Sequence, residues 1–248
     1  MSACVAVQQN VAESQGECPM NGKIGMIEAI APTASVRRAY NLHSLYYGTL
    51  VAPLERRPRM LALEKACLRA DERVLEVATG PGFTLREILK IVHPTNVVDG
   101  VDLSPRMLER ARRLIRAAGH TNARLQEADA RQLPFEDATF DVLLNSYMLD
   151  LIPLDDMSVV LKEFRRVLKS GGRLVLVNMS KPSADVLTPL ERVYNLLPKR
   201  WVPYLLGSCR PVLMEVPVRQ AGFSDVQRQY LPQIMPSEII TARASQDA

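Results

Sequence analysis

A doubly wound α/β fold on a mostly parallel sheet is predicted by three observations. Short apolar strands and amphipathic helices take turns from residue 72 to about residue 180. The connections between strands are long enough for crossover helices. The fourth strand, "FDVLLNS" from Phe140 to Ser146, is apolar on both faces, as a strand in mid-sheet must be.

The elements follow in order. "RVLEVA" is the first strand, and "LREILKIV" after it places Leu85, Ile88, Leu89 and Val92 on one helical face. "NVVDGVDL" is the second strand; Ser104 then caps a helix with Pro105 at its first position and an apolar stripe through Leu108, Ala111 and Ile115. "ARLQEADA" is the third. After the fourth, "VVLKEFRRVLKSGG" buries Val160, Phe164, Val167 and Leu168 and is expected to run to its glycines, with "RLVLVNMS" as strand five. Upstream, residues 36–70 form an N-terminal cap in which Pro53 and Pro58 predict two or three short helices. Downstream, residues 181–215 are proline-rich and aromatic, an insertion covering one end of the sheet. A short helix and a pair of edge strands end the chain.

Composition sets the bounds. The 248 residues, 47% hydrophobic and 23% charged, support one domain with appendages: a weakly ordered tail over residues 1–35 and a single domain over 36–248, with its core at 72–180. A net charge of +4 without a clustered patch argues against nucleic acid. Cys4, Cys18, Cys67 and Cys209 form no C-x-x-C pair, and with only His43, His93 and His120 beside them no metal site is expected. The first residues lack a secretion signal and no run is long enough to span a membrane, so a cytoplasmic protein is expected, with any contact at the inner membrane face peripheral.

The turn "VLEVATGPGF" carries the chemistry. Ligands of doubly wound sheets bind beyond the strand carboxyl ends, first at this turn. A dinucleotide fits poorly, because the G-x-G-x-x-G frames place Phe83 or Leu85 at the third glycine position, and Glu76 is awkward beside a pyrophosphate. S-adenosylmethionine (SAM) carries an ammonium and a sulfonium, for which a carboxylate at the strand end is an asset. A ligand-free tight turn is the third reading. Asp102 closes strand two, where a ribose carboxylate belongs, and Asp129 closes strand three, placed for an adenine amino group. Two acids in register with the turn favour a nucleoside.

The pieces "VLEVATGPG", "GVDLSPRMLERAR", "EADARQLPFEDATFDVLLNS", "LKEFRRVLKSGGRLVLVNMSKP" and "AGF" together resemble class I SAM-dependent methyltransferases, within them the group of ubiquinone/menaquinone C-methyltransferases and bacterial phosphatidylethanolamine N-methyltransferases. The resemblance implies a Rossmann-like, seven-stranded sheet with an antiparallel edge strand, SAM as cofactor and S-adenosylhomocysteine (SAH) as product. It implies that Glu76, Ala78, Thr79, Gly80 and Gly82 surround the methionine moiety, and that Asp102 holds the ribose. Leu103 and Met107 would pack near adenine, Asp129 and Ala130 would read its edge, and Asn145 would sit near the amino-acid end. Ala78 stands where the family usually has glycine.

Methyl transfer is an in-line displacement, so alignment in a dry pocket can supply much of the catalysis. "AYNLHSLYYG" resembles the group's N-terminal segment, with Tyr40 and Tyr47 at paired tyrosine positions. Tyr47 and His43 are the candidate catalytic residues, and Tyr40, Tyr147, Asn178 and Arg210 the candidate acceptor contacts. The expected acceptor is a lipophilic small molecule, a quinol precursor or specialised metabolite. A phospholipid amine is the alternative, suited to Trp201 beside Lys199, Arg200 and Tyr204. A SAM-binding protein without catalysis is the third possibility. Oligomeric state has no signal in the sequence.

Overall fold

The computed structural model describes residues 25–28, 52–196 and 209–245. In chain order the elements are α1 (Ala52–Ala66), β1 (Val74–Val77), α2 (Phe83–Ile88), β2 (Val98–Asp102), α3 (Pro105–Ala117), β3 (Ala123–Glu127) and β4 (Phe140–Ser146). They continue as α4 (Leu154–Val167), β5 (Leu168–Met179), α5 (Pro189–Leu196), α6 (Glu215–Gln220), β6 (Phe223–Leu231) and β7 (Ser237–Ala244).

One seven-stranded sheet runs β3-β2-β1-β4-β5-β7-β6. Strands β1 to β5 pair in parallel, and β7 pairs antiparallel with both β5 and β6, so the antiparallel edge is a hairpin with β7 wedged inside it. Strand order reverses between β1 and its two neighbours β2 and β4, which puts the ligand crevice above β1.

Alternation along each strand sorts side chains onto two covered faces. Leu75, Leu143 and Leu176 join Leu161 and Phe164 of α4 in one core cluster. Val74, Val142, Leu144 and Val175 join Ala62 and Leu63 of α1 and Ile88 of α2 in the other. Both faces of the central strands are therefore apolar, as read from the sequence.

Four local expectations change. Helix α1 runs unbroken through Pro58, because Pro53 lies in its first turn and the burial of Pro58 outweighs one lost hydrogen bond, while residues 36–51 of the expected cap lie outside the described residues. Helix α2 stops at Ile88, although Leu89 and Val92 remain buried. Helix α4 ends at Val167 instead of the glycines, because Leu168 already pairs with Phe140 and starts β5. Residues 25–28 are not a loose tail: Met26 packs in the first core cluster, and Glu28 accepts the Leu154 N–H at 3.1 Å.

Candidate functional site

The turn after β1 has a backbone reason for its spacing. Ala78, Gly80 and Gly82, the alternate residues of E-x-A-x-G-x-G, all have left-handed φ, at 57°, 55° and 86°. Glycine adopts this region freely, whereas an alanine there costs about 1–2 kcal/mol, so Ala78 carries strain. Thr79 pins the turn to β2, its N–H and hydroxyl both donating to the Val101 carbonyl at 3.1 and 3.0 Å.

Asp102 holds two pieces of backbone together. Its carboxylate accepts the Gly80 N–H and the Ser104 N–H, each at 2.8 Å, and so ties the glycine turn to the start of α3. Ser104 caps that helix by accepting from Met107 N–H at 3.3 Å. Burial pushes the Asp102 carboxyl up to about 6 against the pull of these two N–H donors. Each oxygen keeps a lone pair for a ligand.

A pocket of about 1000 Å³, including its open mouth, lies across these strand ends. Ala78, Gly80, Leu103, Met107 and Ala130 line it together with Asp102 and Asp129. At Gly80 a Cβ would meet nothing within 4 Å, so this backbone is open to a ligand. Glu76 lies behind the wall, 2% exposed, with one carboxylate oxygen unpartnered. Burial, opposed chiefly by the Arg59 charge, pushes its carboxyl up to about 8. An orphaned buried acid beneath an open glycine turn fits the cationic end of SAM.

Asp129 is capped by its neighbour. Arg131 donates from Nη2 to Asp129 at 2.7 Å and from Nη1 to Asp156 of α4 at 3.2 Å, and its backbone N–H adds a further bond to Asp129 at 2.9 Å. The Arg131 guanidinium holds the Asp129 carboxyl below its usual range. Asp129 is held in its charged form at the β3 side of the pocket, with Arg131 beside it.

Several expected contacts lie elsewhere. Thr79 and Gly82 are turn and packing residues: a Cβ on Gly82 would stand 2.9 Å from that of Ala111. Asn145 is buried beneath the pocket wall and donates to the Val77 carbonyl at 2.9 Å. Asn178 is wholly buried, and neither of its side-chain polar atoms has a partner among the described residues. Arg210 does not face the pocket. It is fully buried and its guanidinium donates to the carbonyls of Ile27, Asp150 and Ile152, so it clamps backbone and is not placed for an anionic acceptor. Tyr40, His43 and Tyr47 lie outside the described residues, as does Trp201.

Tyr147 does line the pocket, at a left-handed φ of 53°. Ser237 donates to the Met235 carbonyl at 2.8 Å, so the Tyr147 hydroxyl is the donor in its 2.9 Å bond to Ser237. Burial raises its phenol above the ordinary value. Its proton is committed away from the pocket and its ring forms a wall.

Sequence reasoning missed Arg59, Arg131, Asp156 and the apolar wall of Met148, Leu151 and Ile152. Asp156 carried a signal, as an acid in the first turn of α4. Arg59 is one of several arginines in its helix and carries no local signal.

Comparison with known proteins identifies the family and the fold. The family described as "Methyltransferase domain" matches residues 74–172, from β1 into the start of β5. The ubiquinone/menaquinone biosynthesis C-methyltransferase UbiE of Geobacter sp. (strain M21) is 32% identical over 189 residues, 70% of this chain and 80% of that protein. The demethylmenaquinone methyltransferase of Staphylococcus aureus is 36% identical over 127 residues, but the match spans only 51% of that protein's length. The crystal structure of the 4+2 cyclase SpnF shares the fold, with a TM-score of 0.68 at 17% identity over 88% of this chain and 98% of that one. A nucleoside pocket set over a glycine turn, on a 3-2-1-4-5-7-6 sheet and in a chain with these relatives, leads to one assignment: this protein belongs to the class I SAM-dependent methyltransferases.

Proposed function

We propose that this methyltransferase acts on a lipophilic small molecule of the quinol-precursor type. The observation that carries this reading is the pocket's second half, where Tyr147, Met148, Leu151 and Ile152 extend an apolar wall beyond the residues suited to the nucleoside. Relatives named for quinone biosynthesis support it.

SAM supplies an electrophilic methyl group on a sulfonium. The chain's own residues bind and align. Asp102 would hold the ribose hydroxyls, Asp129 and Ala130 the purine edge, and Leu103 and Met107 the purine face. Glu76, beneath the turn, would give up its proton and become the counter-charge when the cation binds, and the apolar wall would exclude water from the acceptor. A carbon or oxygen acceptor also needs its proton removed. Tyr147 is unsuited to that, and we assign it to His43 or Tyr47, with Tyr40 as an acceptor contact.

The test begins with calorimetric titration by SAM and SAH. Binding of both, weakened about ten- to a hundredfold by Asp102→Ala, is expected if the ribose bonds are made. Labelled-methyl transfer to reduced demethylmenaquinone should then exceed transfer to phosphatidylethanolamine vesicles; the reverse order would overturn the acceptor assignment.

The reverse order has one observation in its favour. Leu196 of α5 and Ile234 in the β6–β7 turn are 84% and 88% exposed, and both elements adjoin the strand ends that carry the pocket. No helix among the described residues is long and apolar enough to cross a membrane, so such residues would meet a bilayer only at its surface. A phospholipid enzyme should sediment with anionic liposomes and be released by salt.

A further inference from the structure

The two acids suited to a nucleoside differ in what already holds them. Asp102 accepts two backbone N–H groups and forms no ion pair among the described residues. Asp129 is occupied by a cation. Its Oδ1 accepts the Arg131 backbone N–H at 2.9 Å and the Nε–H at 3.1 Å, and its Oδ2 accepts from Nη2 at 2.7 Å. The same guanidinium reaches from Nη1 to Asp156, in the first turn of α4, at 3.2 Å. Asp129, Arg131 and Asp156 all line the pocket. Arg131 is therefore anchored by acids of two different elements, and leaving Asp129 would not free it from α4.

This arrangement bears on which purine the site accepts. An ionised carboxylate only accepts hydrogen bonds. Standing alone at a purine edge, it favours an amino group at position 6, which donates, and repels a carbonyl oxygen there, which also accepts. A carboxylate bound by a guanidinium behaves differently. The pair carries no net charge, the acceptor oxygens are shared with Arg131, and a cation lies beside the same edge. The repulsion against a 6-oxo group is offset, and the advantage of a 6-amino group shrinks.

We propose that Arg131 is a specificity-determining residue for the nucleoside: it relaxes selection at the purine 6-position, so that the site takes 6-oxo as well as 6-amino nucleosides. This rests on the pocket being the SAM site, with the purine edge at Asp129. Asp156 contributes by anchoring the guanidinium from the α4 side of the pocket.

The experiment compares SAH with its deaminated counterpart S-inosylhomocysteine, in which a carbonyl oxygen replaces the 6-amino group and N1 carries a proton. Calorimetric titrations are run on the full-length wild type, Arg131→Met and Arg131→Lys at one salt concentration. The quantity read is the ratio of the two dissociation constants. A packing defect weakens both ligands alike and leaves that ratio unmoved, and the penalty for the N1 proton is common to all three proteins. Arg131→Met should raise the preference for SAH about 10- to 100-fold over that of the wild type, because the 6-oxo group then meets a bare carboxylate. Arg131→Lys, which keeps the charge, should stay within about threefold of the wild type. A ratio in Arg131→Met that equals or falls below the wild-type ratio would overturn the proposal and leave Arg131 as a strap between two elements. A wild type that binds SAH but not S-inosylhomocysteine at millimolar concentration would overturn it as well. If Arg131→Met does not fold, Arg131→Gln removes the same charge and is read in the same way. A wild type that binds neither ligand refutes instead the donor-site reading on which the proposal stands.

Discussion

Glu76 presents the clearest consequence of burying one ionisable side chain. Its carboxyl rises from 4.5 to about 8, mainly through burial, with Arg59 lowering it and Asp102 adding to the rise. Between those two values the folded chain holds a proton that the unfolded chain releases, so stability falls as pH rises through this window. Asp102, raised to about 6, and Asp150, raised to about 7, act in the same direction. Ligand-free protein should therefore melt at progressively lower temperature from pH 5 to pH 8.5. In Glu76→Gln the decline should be shallower, by an amount on the order of a few kcal/mol over the window, since each tenfold change in proton affinity is worth about 1.4 kcal/mol. An identical slope in wild type and variant would assign the decline to the two aspartates. Asp102 and Asp129 were legible in the sequence because one closes β2 and the other follows β3 by two residues, both at the carboxyl ends of strands beside the glycine turn. Arg59 was not, because an arginine on a helix is ordinarily exposed and only the tertiary fold brings it over Tyr147.

At the scale of elements, the strand-turn-helix unit depends on two glycines with different tasks. Gly82 has a left-handed φ, and a Cβ on it would lie 2.9 Å from the Ala111 Cβ and 3.0 Å from its Cα, so the entry of α2 packs directly on α3. Gly80 shares the backbone conformation but faces open space in the pocket. Gly82→Ala should thus lose about 2–4 kcal/mol in urea unfolding, from backbone strain plus overpacking. Gly80→Ala should lose only about 1–2 kcal/mol from the backbone but also weaken SAH binding, because its methyl group enters the ligand's space. Equal stability losses with unchanged SAH affinity would contradict the division of labour. Glycine made this unit readable in the sequence. The α4–β5 boundary had no such marker: Lys169 to Gly172 looks like a helix C-cap, and the pairing of Leu168 with Phe140, a long-range contact, sets the end instead.

The whole molecule is closed by a buried cation that no local pattern announces. The sheet order was implied by the alternation of elements, because few topologies satisfy the crossover rules. What joins the chain's distant parts was hidden, since Arg210 in the proline-rich insertion reads as an acceptor contact and not as a clamp on backbone. Arg210 donates to the Ile27 carbonyl at 2.7 Å, the Asp150 carbonyl at 3.0 Å and the Ile152 carbonyl at 2.6 Å, joining the segment before α1, the β4–α4 loop and the return from the insertion. Around it, Leu213 N–H points to the Met26 sulfur at 3.1 Å, and Met179 N–H donates to the Asp150 carboxylate at 3.0 Å. Leu151 and Ile152 of that loop are pocket wall. Replacing the guanidinium with an apolar side chain leaves three buried carbonyls without these donors, a loss of about 3–5 kcal/mol. Arg210→Met should melt roughly 10 °C lower. Hydrogen exchange should quicken at residues 26–28 and 150–154 while β1 and β2 keep their protection, because the break is local. SAH affinity should fall severalfold with the loosened wall. Exchange that quickened uniformly across the sheet would show instead that Arg210 supports the fold as a whole and has no particular hold on the pocket.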